Sequence, residues 1–167
     1  MKRNPTITDP NLKSILEEFH KLFADEIVLF IKNKNYYWNI EAENFYQLRE
    51  FYKQQSDQLE KIIERTAEHI RVLDSQTQTR LSDYLMTTNL LEQPYTGHTK
   101  DQLKYLLASH ETIIDNLRRL AGLFFNKYHN PSAAYFARKI LIEHEKMAWM
   151  IRSYLNTPPK KSSTVPD

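Results

Sequence analysis

Three observations predict an all-α fold. The 167-residue chain has only two glycines, Gly97 and Gly122. Five of its seven prolines, Pro5, Pro10, Pro158, Pro159 and Pro166, lie near the termini, so only Pro94 and Pro131 punctuate the interior. No Asn-Gly or Asp-Gly hairpin signal occurs. Glycine and proline are the main interruptions of regular structure, so long elements are expected. Four stretches then repeat apolar residues every three or four positions, the spacing that puts them on one face of a helix.

The elements follow in order. Residues 1–8 read as a short tail whose only charged side chains are Lys2 and Arg3. Asp9-Pro10 resembles a helix cap followed by proline at the first helical position. Leu12, Ile15, Leu16, Phe19, Leu22, Phe23, Ile27, Phe30 and Ile31 form the stripe of a first long helix. It runs to about Trp38, roughly 28 residues or ~42 Å. A second helix opens near Asn44, with Phe45, Leu48, Phe51, Tyr52, Leu59, Ile62, Ile63, Thr66 and Ile70 as its stripe. Asp74 to Thr79 is a loop, and Leu81, Leu85 and Met86 predict a short helix beyond it.

A third long helix starts at Thr99, where Gln102 three residues on completes a capping-box pattern. Its stripe runs from Leu103 through His110, Ile113, Leu117 and Leu120 to Phe124 and Phe125. Asn130-Pro131 repeats the cap-then-proline signal and opens a fourth helix, with Ala134, Ala137, Ile140, His144, Met147, Ile151 and Leu155 facing inward. Residues 157–167 carry almost nothing to bury and read as a disordered tail. The expectation is one domain over 9–156 between two tails.

Composition narrows the class further. With no cysteine, disulfides and thiolate metal sites are excluded. No apolar signal-peptide core and no run near the length of a membrane span occurs, so the reading is a soluble, cytoplasmic protein with no membrane contact. The net charge of +2 is nearly balanced and selects no partner.

Short connections make the first pair and the second pair of long helices antiparallel. One long crossover of roughly 25 residues joins the pairs, which is the ferritin-like arrangement of a four-helix bundle with a short helix in its crossover. A di-iron centre inside one such bundle needs two Glu-x-x-His motifs. Only one is present, Glu17 to His20, and its ordinary reading is a pair of surface or interface residues. His110 and His144 lie on apolar stripes and read as core or interface histidines rather than ligands.

Leu22-Phe23-Ala24-Asp25-Glu26-Ile27, Asn35-Tyr36-Tyr37-Trp38-Asn39-Ile40 and Asn44-Phe45 resemble the Dps family of mini-ferritins. So does Glu145-Lys146-Met147-Ala148-Trp149-Met150-Ile151-Arg152. The resemblance covers about Leu12 to Leu155. It implies a hollow homo-oligomer, a dodecamer, that oxidises ferrous iron with peroxide and stores the ferric product. It also implies DNA binding in many members.

The resemblance places an iron site between two subunits, with two histidines and an aspartate from one and a carboxylate pair from the other. Here the histidine positions hold Tyr37 and Arg49, and the aspartate position holds Lys53. The carboxylate pair is present as Glu64 and Glu68, and the site-adjacent Trp38 is also present. Iron sites of this kind use neutral imidazole and carboxylate ligands. Arginine has no lone pair to offer, and lysine ligates only when deprotonated.

Arg49 and Lys53 are therefore expected to pair with Glu64 and Glu68 of a neighbouring subunit, in the way a guanidinium fork matches carboxylate. The alternatives are a solvated helix face, or a retained iron site built on Glu64 and Glu68 with other ligands. The acidic stretch that lines three-fold pores in the family reads Asn130-Pro131-Ser132-Ala133-Ala134-Tyr135, so Asn130 and Tyr135 bring no negative charge to attract a cation.

The favoured expectation is a cage whose oxidation site is degenerate, serving a structural or stress-protective role. A working iron-oxidising and iron-storing mini-ferritin is the alternative. A further one is DNA binding through the tail residues Lys2, Arg3, Lys160 and Lys161.

Overall fold

The computed structural model describes residues 11–77 and 80–156. Four long helices carry the fold: α1 (Leu12–Trp38), α2 (Phe45–Val72), α4 (Thr99–Gly122) and α5 (Pro131–Asn156), with the short α3 (Leu81–Thr87) in the crossover. The tail lysines and arginine, Lys2, Arg3, Lys160 and Lys161, lie outside the described residues, as do Asp9-Pro10 and both tails.

Cross-helix contacts establish the topology. Asn33 of α1 donates to the Tyr52 carbonyl and to Ser56 of α2 near the turn between them. Glu26 meets Thr66 further along the same pair. That order is antiparallel. Arg118 with Glu145 and Arg152 with Glu111 set α4 antiparallel to α5. Lys32 with Ser109 and Glu18 with Arg119 tie α1 to α4. The predicted four-helix bundle is therefore present.

The core is the meeting of the four apolar stripes. Phe19, Leu22 and Leu29 of α1, Tyr52, Leu59 and Ile62 of α2, Ile113 and Leu117 of α4, and Ile140 and Ile151 of α5 are fully or almost fully buried. Each such side chain contributes about 1.5–3 kcal/mol relative to exposure. The crossover is fastened by α1. Tyr84 packs edge-on against Phe23 at 5.8 Å. Asp25, wholly buried, accepts from Thr88 Oγ1 at 2.7 Å and from the Asn89 backbone N–H at 2.6 Å.

Several local expectations change. Leu81, Leu85 and Met86 do form a helix, yet they face outward, and Tyr84 is the residue that anchors it. Ile31 is 54% exposed because it lies on the groove side of α1 rather than on the core stripe. Thr99 is the first helical residue, not the cap. His98 precedes it, and Gln102 turns inward to accept from Tyr52 Oη and donate to the Thr96 carbonyl. A buried tyrosine hydroxyl recruits it away from the capping box. Asn44 makes no side-chain cap, but Asn130 does, accepting from the Ala133 N–H at 2.9 Å.

Phe125 is also displaced from its predicted place. The helix after Gly122 continues as a π turn over Leu123–Lys127, with Tyr128 N–H donating to the Leu123 carbonyl. One extra residue per turn rotates Phe125 out of the stripe, leaving it 50% exposed. His129, at φ 50°, then closes the end in the left-handed region.

Candidate metal centre

The residues at the expected iron position lie at the α1–α2 end of the bundle. Tyr37 occupies the last turn of α1, and Arg49 follows one turn into α2. The hairpin between them brings the Arg49 guanidinium 4.4 Å from the centroid of the Tyr37 ring and 5.7 Å from that of Phe45. Lys34 Nζ lies 5.5 Å from the same Tyr37 ring. Two cations thus share one electron-rich ring, an arrangement favoured by the ring quadrupole.

Lys53 has a partner within its own helix. Its Nζ lies 2.9 Å from Asp57 Oδ2, one turn on in α2. The hydrogen bond to Asp57 and that carboxylate's charge raise the Lys53 pKa, so it stays an ammonium. Asp57 was readable from sequence as an i,i+4 partner. Trp38, the site-adjacent residue of the resemblance, is 66% exposed at the end of α1.

Glu64 and Glu68 are exposed on the same helix. Fifteen residues separate Arg49 from Glu64, about 22 Å of helix, so the two sets of side chains do not meet within one chain. Neither glutamate makes an ion pair among the described residues. Among those residues, no group of three or more His, Asp or Glu side chains is placed to hold a metal ion. The side chains at the imidazole and aspartate positions do not fit ferrous iron. One is a guanidinium on an aromatic ring and the other an ion-paired ammonium.

The lone Glu-x-x-His motif forms no site. Glu17 is exposed, and His20 Nε2 lies 3.4 Å from Ser75 Oγ. Burial lowers the His20 pKa. His98 and His129 are exposed at helix ends.

The core holds ionisable groups of its own. His110 and His144 are both buried, with their Nδ1 atoms 3.0 Å apart across the α4–α5 seam. Desolvation drives the His144 pKa down to about 3 and, with the neighbouring ring, drives His110 well below its usual value. Both rings are neutral, and one proton lies between the two Nδ1 atoms. His144 Nε2 has no partner. Donation from His144 Nδ1 therefore spares it an unpaired buried N–H, the costlier orphan.

Glu26 is the core acid that the sequence reading passed over. It is wholly buried, accepts from Thr66 Oγ1 at 3.2 Å and leaves Oε2 unpartnered. Desolvation pushes its pKa up to about 8, so it is protonated at neutral pH. Its position after Phe19, Leu22 and Phe23 at helical spacing was the available signal. Burial also raises Asp25, against the opposing effect of its hydrogen bonds from Asn89 and Thr88.

At the other end of the bundle, Tyr135 is 62% exposed with Lys139 Nζ 5.4 Å from its ring centroid. Asn130 keeps its capping role without supplying charge.

Comparison with known proteins fits this architecture. The model of a family described as ferritin-like domain matches residues 16–160. The chain belongs to that family. A relative from Bacillus anthracis named DNA protection during starvation protein 2 is 24% identical over 144 residues, covering 86% of this chain and 98% of the relative. A relative from Nostoc, described as an uncharacterized low temperature-induced protein, is 25% identical over 159 residues, covering 93% and 88%. The structure of Dps from Thermosynechococcus elongatus superposes with a TM-score of 0.83 at 21% identity, covering 92% of this chain and 98% of that one. Within the ferritin-like family the chain is a Dps member. Among its described residues, no helix is long and apolar enough to cross a membrane.

Proposed function

We propose that this Dps-family chain builds a homo-oligomeric cage, a dodecamer, in which the inter-subunit iron-oxidising position has become a charge-paired contact. Its role is structural or protective rather than oxidative. The observation that carries this reading is Arg49 stacked at 4.4 Å on Tyr37, where the family resemblance places histidines. Lys53 is already neutralised by Asp57. That leaves Arg49 as the cation free to meet the carboxylates Glu64 and Glu68 of a second copy. A guanidinium held on a ring keeps its edge available for a bidentate carboxylate.

Self-association is supported by an unfilled groove of about 450 Å³ between α1, α3 and the crossover. Ile31, Leu81, Leu85 and Tyr95 line it and are more than half exposed. Contiguous apolar surface of this kind marks an interaction site. The low temperature-induced relative supports a stress-related role. Iron, in this reading, is not oxidised at the subunit contact.

The test is ferrous iron with peroxide, followed optically. The expected rate equals that of buffer, and the triple variant Tyr37→His/Arg49→His/Lys53→Asp gains oxidation. Wild-type oxidation well above buffer that is abolished by Glu68→Ala would overturn the reading in favour of a working iron site. Light scattering checks the assembly, and a monomer mass would remove the cage.

A further inference from the structure

A second groove, of about 630 Å³, runs between the start of α2 and the end of α5. The buried ring of Phe51 forms its floor, and Tyr46, Trp149 and Tyr154 stand along it. Phe51 and Tyr154 pack with ring centroids 4.5 Å apart. Tyr154 Oη donates to the Gln47 carbonyl at 3.4 Å, which ties the two helices across the groove. The outer rings stay open, with Tyr46 83% and Trp149 61% exposed.

Elsewhere the chain lays its own cations over exposed rings. Arg49 lies over Tyr37, Arg138 over Phe125 and Lys139 over Tyr135. Among the described residues, no cation lies over a ring of this groove. The one charged side chain that lines it is Glu50. Its Oε1 accepts from Gln54 Nε2 at 3.2 Å, and it makes no ion pair among the described residues. Lys53, one turn further along α2, is committed to Asp57 at 2.9 Å. The groove therefore combines open π faces with a carboxylate that has no counter-charge.

We infer that this α2–α5 groove binds a small quaternary ammonium ion, with Trp149 and Tyr46 against its alkyl groups and Glu50 beside its charge. A ring face attracts a cation, and tryptophan does so most strongly. The class of cation follows from what the groove lacks. A primary ammonium or a metal ion is strongly hydrated and needs several acceptors in place of its water. Here the Gln47 carbonyl is already taken by Tyr154, which leaves the Glu50 carboxylate. A quaternary ammonium donates no hydrogen bond and presents methyl groups to the rings, so the same surface satisfies it. A neutral apolar ligand would use the rings and leave Glu50 without a counter-charge. The groove shares no residue with the contact assigned to Tyr37, Arg49, Lys53, Glu64 and Glu68, and Tyr135 lies at the other end of α5.

Isothermal titration calorimetry of the full-length protein with choline tests this. Methylammonium and dimethylbutanol, the neutral carbon isostere of choline, are the comparison ligands. Choline is expected to bind in the millimolar range and the other two about tenfold more weakly. Tyr46→Leu/Trp149→Leu keeps the groove apolar and removes its open ring faces, which should weaken choline by about tenfold. Glu50→Gln should weaken it by about threefold. These positions are exposed, and matched helical circular dichroism verifies folding. The inference is overturned if choline does not bind, if dimethylbutanol binds as well as choline, or if the leucine variant keeps the wild-type affinity. The tail lysines supply a last check. Unchanged choline affinity in Lys160→Gln/Lys161→Gln supports an open site. Tighter binding would mean that the chain's own lysine occupies the groove, and the inference would fall.

Discussion

Acid should loosen the α4–α5 seam, and the buried pair His110 and His144 sets the size of the effect. Both folded-state pKa values lie below the ordinary 6.5. Below pH 6.5 the unfolded chain therefore takes up two protons that the folded core refuses. The stability this pair contributes is intact above pH 6.5 and falls as pH drops below it. Each group contributes about 1.4 kcal/mol per pH unit, so the pair lowers stability by about 4 kcal/mol between pH 7 and pH 5.

Other core groups titrate in the same interval. Glu26 opposes the effect, since its raised pKa makes the folded state the better proton acceptor up to about pH 8. His69, lowered by burial to about 4, adds to it. The pair is isolated by comparing wild type with His110→Leu/His144→Leu, which removes both partners and fills the seam with apolar groups. Urea midpoints at pH 7 and pH 5, at one protein concentration, measure the difference. The wild type should lose about 4 kcal/mol more than the variant. Parallel pH dependence of the two proteins would refute the neutral buried pair.

The remaining predictions concern single positions. Glu26 is stabilising below its unfolded pKa of 4.5, and that contribution is lost as pH rises toward 8. Glu26→Gln should therefore gain on wild type by about 3 kcal/mol between pH 5 and pH 8, read from the same urea midpoints. Asn130→Ala removes the acceptor for the Ala133 N–H and should cost about 1 kcal/mol in thermal or urea unfolding. Asn130→Asp should retain most of that stability.

The helices were legible in the sequence because helix formation is local. Apolar spacing, the scarcity of glycine and proline, and the Asn130-Pro131 signal placed four long helices and a short one to within about two residues. The same residues, read through a family resemblance, placed Tyr37, Arg49 and Lys53 where metal ligands were expected. Fit to metal is then a matter of side-chain chemistry, which is written in the sequence.

Partnership was decided only by tertiary structure. Asp25, Glu26, His110 and His144 are polar letters on helical faces. Their burial depends on helices that arrive from tens of residues away, and burial in turn sets their proton affinities. Arg49 rests on Tyr37 because a hairpin brings two helix ends together. Gln102 abandons its capping box because Tyr52, fifty residues earlier, needs an acceptor. Phe125 faces solvent because one turn widens from α to π, which shifts the helical phase on which the stripe reading depends. Periodicity encodes which side of a helix is apolar; the atoms that meet it are fixed only when the bundle closes.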